Sequence, residues 1–445
     1  MKKLFALGCV LVLSLAFLVA CTRDEPTESE TEITTERPVP IPPTDTGTED
    51  VDPTDEMTFG GENFMIWVDE EVFAEALILA LQDRFPNTNF DWAQMGHVYT
   101  VENLSLDGPG GNGADLIFFP HDHITRAVND SLVLPVGPAI SAAMEANLHA
   151  APVQLVHSGD FHWGVPVSTE SVAFFYNRTL LNELGFEPAT TWEQIFEQGA
   201  EFNNVADNQF IIQLDVGNSF MMHFSTTAHG FRLFGPTHLD PDAVNLNTPE
   251  TIAGLAWLRT VREELLPVPA ADLNGDDIVA AFIDGGLPYI IGGPWMINNI
   301  LENGDFELGI TTIPTINGVQ PLTFTGNQVA AISAFTDYSY LGRAVLEFLM
   351  SDEGFGVIYE YRGWIPTLID VSGVPDLAGN PYHRGILAQA NYYSHPMPII
   401  PEMRDFWEVS GGMYSAAWDG IQTPAEAAEA AELEFDTLRA AAAAE

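Results

Sequence analysis

Trp295 and Trp407 are the side chains best suited to hold a ligand. A flat indole face matches the C–H face of a pyranose ring, while carboxylates and amides take the hydroxyls. Sites of this kind have apolar walls and a few placed polar groups. Trp295 follows Gly292-Gly293-Pro294, directly after the apolar run Tyr289-Ile290-Ile291. Trp407 ends the stretch Pro401-Glu402-Met403-Arg404-Asp405-Phe406-Trp407. Either ring would serve equally as core, and for an isolated tryptophan core is the commoner role.

The other chemical candidates are weaker. On a strand, His121-Asp122-His123 would set two histidines on one face as a metal pair, but no H-E-x-x-H or further ligand cluster accompanies them. A polar loop closing a buried strand fits better, and in open α/β sheets ligands bind there. Gly108-Pro109-Gly110-Gly111-Asn112-Gly113 satisfies G-x-G-x-x-G, yet a strand follows it where a dinucleotide site needs a helix, so it reads as a turn. Asp272-Leu273-Asn274-Gly275-Asp276 opens like a calcium loop. Its sixth position is Asp277 instead of Gly and its twelfth is Ile283 instead of Glu, so a capped turn before a helix at 278–282 is the better reading. G-x-S-x-G is absent. Carboxylates are too plentiful for counting to exclude a glycosidase pair, and nothing singles out an acid and a nucleophile among them.

Composition narrows the field further. The 445 residues carry 15 basic and 63 acidic side chains, a net charge of −48, and a 46% hydrophobic share that is enough for a packed core. The length suggests two or three domains, or one bilobal unit. Lysine occurs only at Lys2 and Lys3, and cysteine only at Cys9 and Cys21. Removing residues 1–20 would leave no lysine for a Schiff base or a phosphate loop, and one cysteine, too few for a thiolate metal site or an internal disulfide. Nucleic acid is disfavoured, because phosphates need clustered Lys and Arg.

The first twenty residues place Lys2-Lys3 before the apolar run Leu4 to Ala20 and end in Leu18-Val19-Ala20-Cys21. This describes a signal peptide over 1–20, too short for a comfortable membrane span. Residues 21–57 hold Cys21 and a Thr/Glu/Pro/Asp-rich stretch with almost no large apolar side chains, expected to stay a solvated tether. About 36 such residues reach roughly 30–35 Å on average.

The elements that must position the candidates come next. Strands are predicted at Phe64–Val68, Asp115–Phe119, Val172–Tyr176 and Tyr289–Ile291. Phe73, Ala76, Leu77 and Ala80 recur at helical spacing. Thr190 and Glu193 are spaced as a capping box before Trp192. Further helices are expected over 344–350 and 424–443. Strands alternating with helices predict an α/β architecture with mostly parallel sheets.

Several stretches in fixed order carry a family resemblance: Phe64-Met65-Ile66-Trp67; Gly113-Ala114-Asp115-Leu116-Ile117-Phe118-Phe119-Pro120-His121-Asp122; and Gly164 to Ser171 followed by Phe175-Tyr176-Asn177. Thr191-Trp192-Glu193, Gly292-Gly293-Pro294-Trp295 and Met397 to Trp407 complete the set. From about residue 58 onward the chain resembles the extracellular solute-binding proteins of bacterial ABC importers, in their maltose/maltodextrin-binding branch. The Leu-Val-Ala-Cys ending resembles a lipobox, which implies lipid attachment at Cys21.

The resemblance implies a two-lobed, periplasmic-binding-protein-like α/β fold with an interlobe ligand cleft. One lobe would comprise 58–168 plus 314–367 and the other 172–310 plus 370–445, with crossings near 169–172, 311–315 and 365–370. Trp295 and Trp407 match the family's stacking tryptophans, Phe119 a third aromatic, and Asp122 and Glu170 its hydroxyl-binding carboxylates. His123 stands where a basic residue, usually Arg, is found. Asp69, Glu70 and Glu71 are candidates for a further acidic contact, and Phe220 or His223 for a further ring. The implied role is an extracytoplasmic, membrane-anchored monomer. It captures maltose- or maltodextrin-type oligosaccharides without a cofactor, a metal or catalysis, and passes them to an ABC permease. A cyclodextrin or a galacto-oligosaccharide is the alternative ligand, and a secreted glycoside hydrolase the alternative class.

Overall fold

The computed structural model describes residues 59–377 and 379–442. The signal peptide, Cys21 and the tether lie outside the described residues.

Each buried strand feeds two cores. Side chains alternate across a strand, so an all-apolar run must be covered on both faces. In Leu116–Pro120, Leu116 and Phe118 enter one hydrophobic cluster and Ile117 and Phe119 enter another. In Ala173–Asn177, Phe174 and Tyr176 face one cluster while Ala173 and Phe175 face a second. Each such fully buried ring contributes roughly 1.5–3 kcal/mol relative to exposure.

Two sheets result, one for each lobe. The first runs Asn89–Gln94, Asn63–Val68, Leu116–Pro120, Gln328–Ile332, Val165–Pro166. The second runs Leu308–Thr311, Ala173–Asn177, Tyr289–Gly292, Ile212–Gln213. A small third sheet runs Ser394–Pro396, Thr323–Gly326, Glu170–Ser171. The architecture is α/β and two-lobed, but the sheets are mixed. Gln328–Ile332 enters antiparallel to both of its neighbours, and Ala173–Asn177 is antiparallel to both of its own. The expectation of mostly parallel sheets overlooked strands that return from the opposite lobe with reversed direction.

Packing also moves two lobe boundaries. Ile316 and Phe324, assigned by sequence to the first lobe, lie in the second lobe's core, so the chain re-enters the first sheet only at 326–328. Val374 and Leu377, assigned to the second lobe, pack in the first, and Leu368 bridges to Leu148.

The helices follow their apolar faces. Glu71–Arg84 buries Phe73, Ala74, Leu77 and Leu81, so Ala74 and Leu81 take the inner positions expected of Ala76 and Ala80. Trp192–Phe202 has a capping box one residue later than predicted: Thr191 accepts from the Gln194 backbone, and the Gln194 side chain accepts from Thr191 N–H. Asn274 caps the helix Gly275–Ile283, as the capped-turn reading requires. Gly108–Gly110 is a 3₁₀ turn leading to the strand that follows. Among the described residues no helix is long and apolar enough to cross a membrane.

Candidate functional site

The chain turns sharply at the end of each candidate strand, and those turns carry the polar groups. After Leu116–Pro120 the backbone enters a 3₁₀ turn, His121–His123. His121 is fully buried and works as a cross-link: its Nδ1 accepts from Asn327 N–H (3.1 Å), so its Nε2 donates to Met397 O (3.1 Å). Burial holds its pKa below the ordinary value. Both nitrogens are engaged with backbone, which removes it as a metal ligand. Asp122 is 8% exposed, and its Oδ1 is buried with no hydrogen-bond partner. His123 is half-buried, with Nε2 4.0 Å from Asp122 Oδ2.

Trp407 is half-buried on the helix Met403–Asp419, whose Phe406, Val409 and Met413 pack into the second lobe. Its Nε1–H donates to Asp122 Oδ2 at 2.8 Å. An indole of one lobe thus meets a carboxylate of the other. A charge-assisted bond of this kind is stronger than a neutral one. Trp295 is half-buried in the 3₁₀ turn Pro294–Met296. Its ring folds back over Gly293, where a Cβ would stand 2.2 Å from ring carbons, so only glycine permits this placement. Phe220, also half-buried, lies 6.1 Å from Trp295 and stacks at 6.1 Å on Phe324, which meets Trp407 edge-on at 5.5 Å. The two tryptophans are therefore ends of one aromatic wall.

Glu170 lies in the crossing strand opposite Gly326 and is 7% exposed. Its Oε1 accepts from Gln328 Nε2 at 3.3 Å, while Gln328 Oε1 is buried without a partner. Burial pushes the Glu170 carboxyl up to about 7. The Gln328 amide and the Arg362 charge pull the other way, and the Asp122 charge adds to the rise. Asp122 and Glu170 thus act on each other electrostatically, beside Trp407.

Three expectations need correction. Phe119 has no exposed surface; its ring belongs with Trp67, Ile117 and Val329 to the first lobe's core. His223 is fully buried, whereas Phe220 keeps part of its ring exposed. Asp69 and Glu70 are not free acceptors. Arg362 pairs with Glu70 and binds Asp69 at 3.0 Å, and His97 binds Asp69 at 2.9 Å. Burial works against the Asp69 carboxylate, but the His97 hydrogen bond and the His97 and Arg362 charges outweigh it and hold its pKa below the usual value.

Sequence reasoning missed Phe324, Gln328 and Arg362. Gln328 carried a faint signal, as the polar start of the otherwise apolar run Gln328-Val329-Ala330-Ala331-Ile332. Arg362 closes the helix Asp352–Arg362 and lies over Trp364, guanidinium carbon to ring centroid 4.8 Å. Next to it, Gly363 adopts φ +64°, and its Cβ position is 3.0 Å from Pro294 O, in the Trp295 turn.

Both the sequence and the fold have known relatives. The family model for bacterial extracellular solute-binding proteins matches residues 82–383. The galactooligosaccharide-binding protein of Bacillus subtilis (strain 168) is 23% identical over 337 residues, 74% of this chain and 78% of its own. The maltotriose-binding protein of Pyrococcus abyssi (strain GE5 / Orsay) is 24% identical over 335 residues, 74% and 70% respectively. The crystal structure of a cyclo/maltodextrin-binding protein complexed with maltotetraose superposes with a TM-score of 0.69 at 24% identity, over 86% of this chain and 98% of that one.

Proposed function

The chain belongs to the bacterial extracellular solute-binding proteins, and from that membership we propose that it captures a maltodextrin-type oligosaccharide between its lobes and presents it to an ABC permease. The observation that carries this reading is the Trp407–Asp122 hydrogen bond, which joins an aromatic plate of one lobe to an acid of the other. Neither lobe alone offers both groups, so a sugar that uses both favours the closed arrangement. Trp295, Trp407 and Phe220 supply stacking faces, and Asp122, with an unpartnered oxygen, and Glu170 supply hydroxyl contacts. His123 beside Asp122 offers a polar nitrogen. A micromolar dissociation constant, about −8 kcal/mol, suits capture followed by release. The output is closure, read by the permease, with Cys21 holding the protein at the outer face of the membrane.

The relatives' names divide between galacto- and malto-oligosaccharides, and the maltodextrin choice rests on the Trp295/Trp407 plates. Calorimetric titration with maltotetraose, a cyclodextrin and a galacto-oligosaccharide tests it. Tightest binding of maltotetraose is the expected result; preference for the galacto-oligosaccharide overturns the choice of sugar. A second reading, glycoside hydrolysis, has one observation in its favour: Glu170 is a cleft carboxyl raised to about 7, next to Asp122. Incubation with maltotriose while following tryptophan fluorescence separates the two. Quenching without products supports capture, and turnover supports hydrolysis.

A further inference from the structure

Directly behind the aromatic wall the second lobe holds three imidazoles. His223 is on the helix Ser219–Thr227, His395 on the strand Ser394–Pro396, and His238 in the loop that follows Arg232. His223 Nε2 lies 2.9 Å from His395 Nε2, and His238 stacks on His395 at 4.0 Å with planes 9° apart. His395 Nδ1 is 3.1 Å from Pro396 O, and His238 Nδ1 is 2.9 Å from Leu233 O. A carbonyl only accepts, so each Nδ1 carries the proton, and His395 Nε2 is the acceptor for His223 Nε2–H. His223 Nδ1 is then bare, and it is buried with no partner.

This geometry fits neutral rings only. A proton added at His223 Nδ1 finds no acceptor; one added at His395 Nε2 sets two N–H groups against each other at 2.9 Å. Facing the trio are Phe324 from the strand Thr323–Gly326, and Phe231 and Arg232 from the loop after the helix. The charged group acting on all three histidines is Arg232, itself a cation. Burial first, then the neighbouring imidazoles and Arg232, hold His223 well below the ordinary range and His395 at about 3.

The trio is coupled to the cleft in two directions. His223 stacks on Phe324 at 3.7 Å, and Phe324 contacts Trp407 and Phe220. Two residues beyond His395, Met397 O accepts from His121, and Ile399 O accepts from Thr125, both across the lobes.

We propose that this histidine trio is an acid-sensitive release device: a proton entering it breaks the His223–His395 hydrogen bond, displaces Phe324 and Trp407, loosens the hold of 395–399 on the first lobe and opens the cleft. The proposal rests on the sugar-capture reading, and its test keeps the two apart. Maltotetraose affinity is measured at pH 7.5 and pH 5.0 for the wild type and for His223→Gln/His395→Gln, whose amides keep polar atoms near the Nε2 positions but do not titrate. Glu170 is present in both, so its own titration cancels in the comparison. The expected result is a tenfold or greater acid loss in the wild type and less than threefold in the variant. Equal losses, a flat wild-type profile, or loss of far-ultraviolet circular dichroism at the same pH each overturn the proposal. No binding of maltotetraose at pH 7.5 speaks against the sugar choice alone. The trio is then tested without ligand by solution scattering, where the radius of gyration should rise on acidification in the wild type and stay constant in the variant. Nuclear magnetic resonance of ¹⁵N-histidine-labelled wild type supplies a measurement free of mutation. His223 and His395 should leave their neutral tautomers in step with opening, and rings still neutral in an opened protein overturn the proposal.

Discussion

Trp407 meets Asp122 through its pyrrole nitrogen and the wall through its ring, so two substitutions separate the contributions. Trp407→Phe keeps a stacking face but removes the N–H, leaving neither Asp122 oxygen with a hydrogen bond. We predict an affinity about tenfold weaker, close to 1.4 kcal/mol, in line with a lost hydrogen bond to a charged group. Trp407→Ala removes the face as well, and the loss should reach about 1–3 kcal/mol or more. Calorimetry giving unchanged affinity for both would make the ring core. Glu170 titrates in an unusual direction. Between its ordinary value of 4.5 and about 7 the folded chain keeps a proton that the unfolded chain has released. Stability from this group is therefore full below 4.5 and is lost as pH rises to about 7. Glu170→Gln abolishes that dependence, so its melting temperature should gain on the wild type across this window and hold a constant lead above it. The ceiling is about 3 kcal/mol. Binding by the variant should weaken without unfolding. A Tm difference that does not change with pH would show the carboxyl ionised normally. Trp295 stood out in sequence beside the Gly292-Gly293-Pro294 break after an apolar run, and Asp122 and Glu170 entered the candidate site only through the family resemblance. Arg362 and Phe324 were not legible, since their partners lie far away in the chain, at Asp69 and at Phe220 and Trp407.

The elements were legible where their pattern is local. The four strands read from apolar runs, including Phe64–Val68 and Asp115–Phe119, match strands of the structure to within about a residue at each end. Direction was not legible, because it depends on which lobe a strand returns from, and Gln328–Ile332 pairs with Leu116–Pro120 across more than two hundred residues. The cap of Trp192–Phe202 failed by one position for a narrower reason: Thr190 and Thr191 are both threonines, and Glu193 and Gln194 both fit the third helical position. The Gln194 side chain accepts from Thr190 as well as Thr191, but only Thr191 Oγ1 accepts from the helix backbone. Thr191→Ala should therefore cost about 1 kcal/mol, and Thr190→Ala clearly less. Chemical denaturation of the two variants decides between the registers, and equal losses would return the cap to Thr190.

At the scale of the molecule the charge of −48 has to be set against what offsets it. Among the described residues several cations are paired locally. Arg362 holds Asp69 and Glu70, Arg178 holds Glu307, Arg259 holds Glu263, and Arg439 holds Asp242. The exposed pairs of Arg178, Arg259 and Arg439 contribute little each, and the remaining acids repel one another over the surface. Salt screens that repulsion, since the screening length falls from about 10 Å at 0.1 M to about 3 Å at 1 M. The Arg-acid pairs are screened too, but they are outnumbered, so the net effect is stabilising. Tm should rise as sodium chloride goes from 0.05 to ~1 M, steeply at first. Affinity for a neutral oligosaccharide should change little over the same range. In the proposed site its contacts would be stacking faces and short-range hydrogen bonds to the buried Asp122 and Glu170, which salt reaches poorly. The two measurements together discriminate. A Tm that falls with salt would mean that attractive pairs dominate the surface. Affinity that falls tenfold with salt would mean that the ligand carries positive charge, because the acids lining the cleft would then be attracting it over a distance.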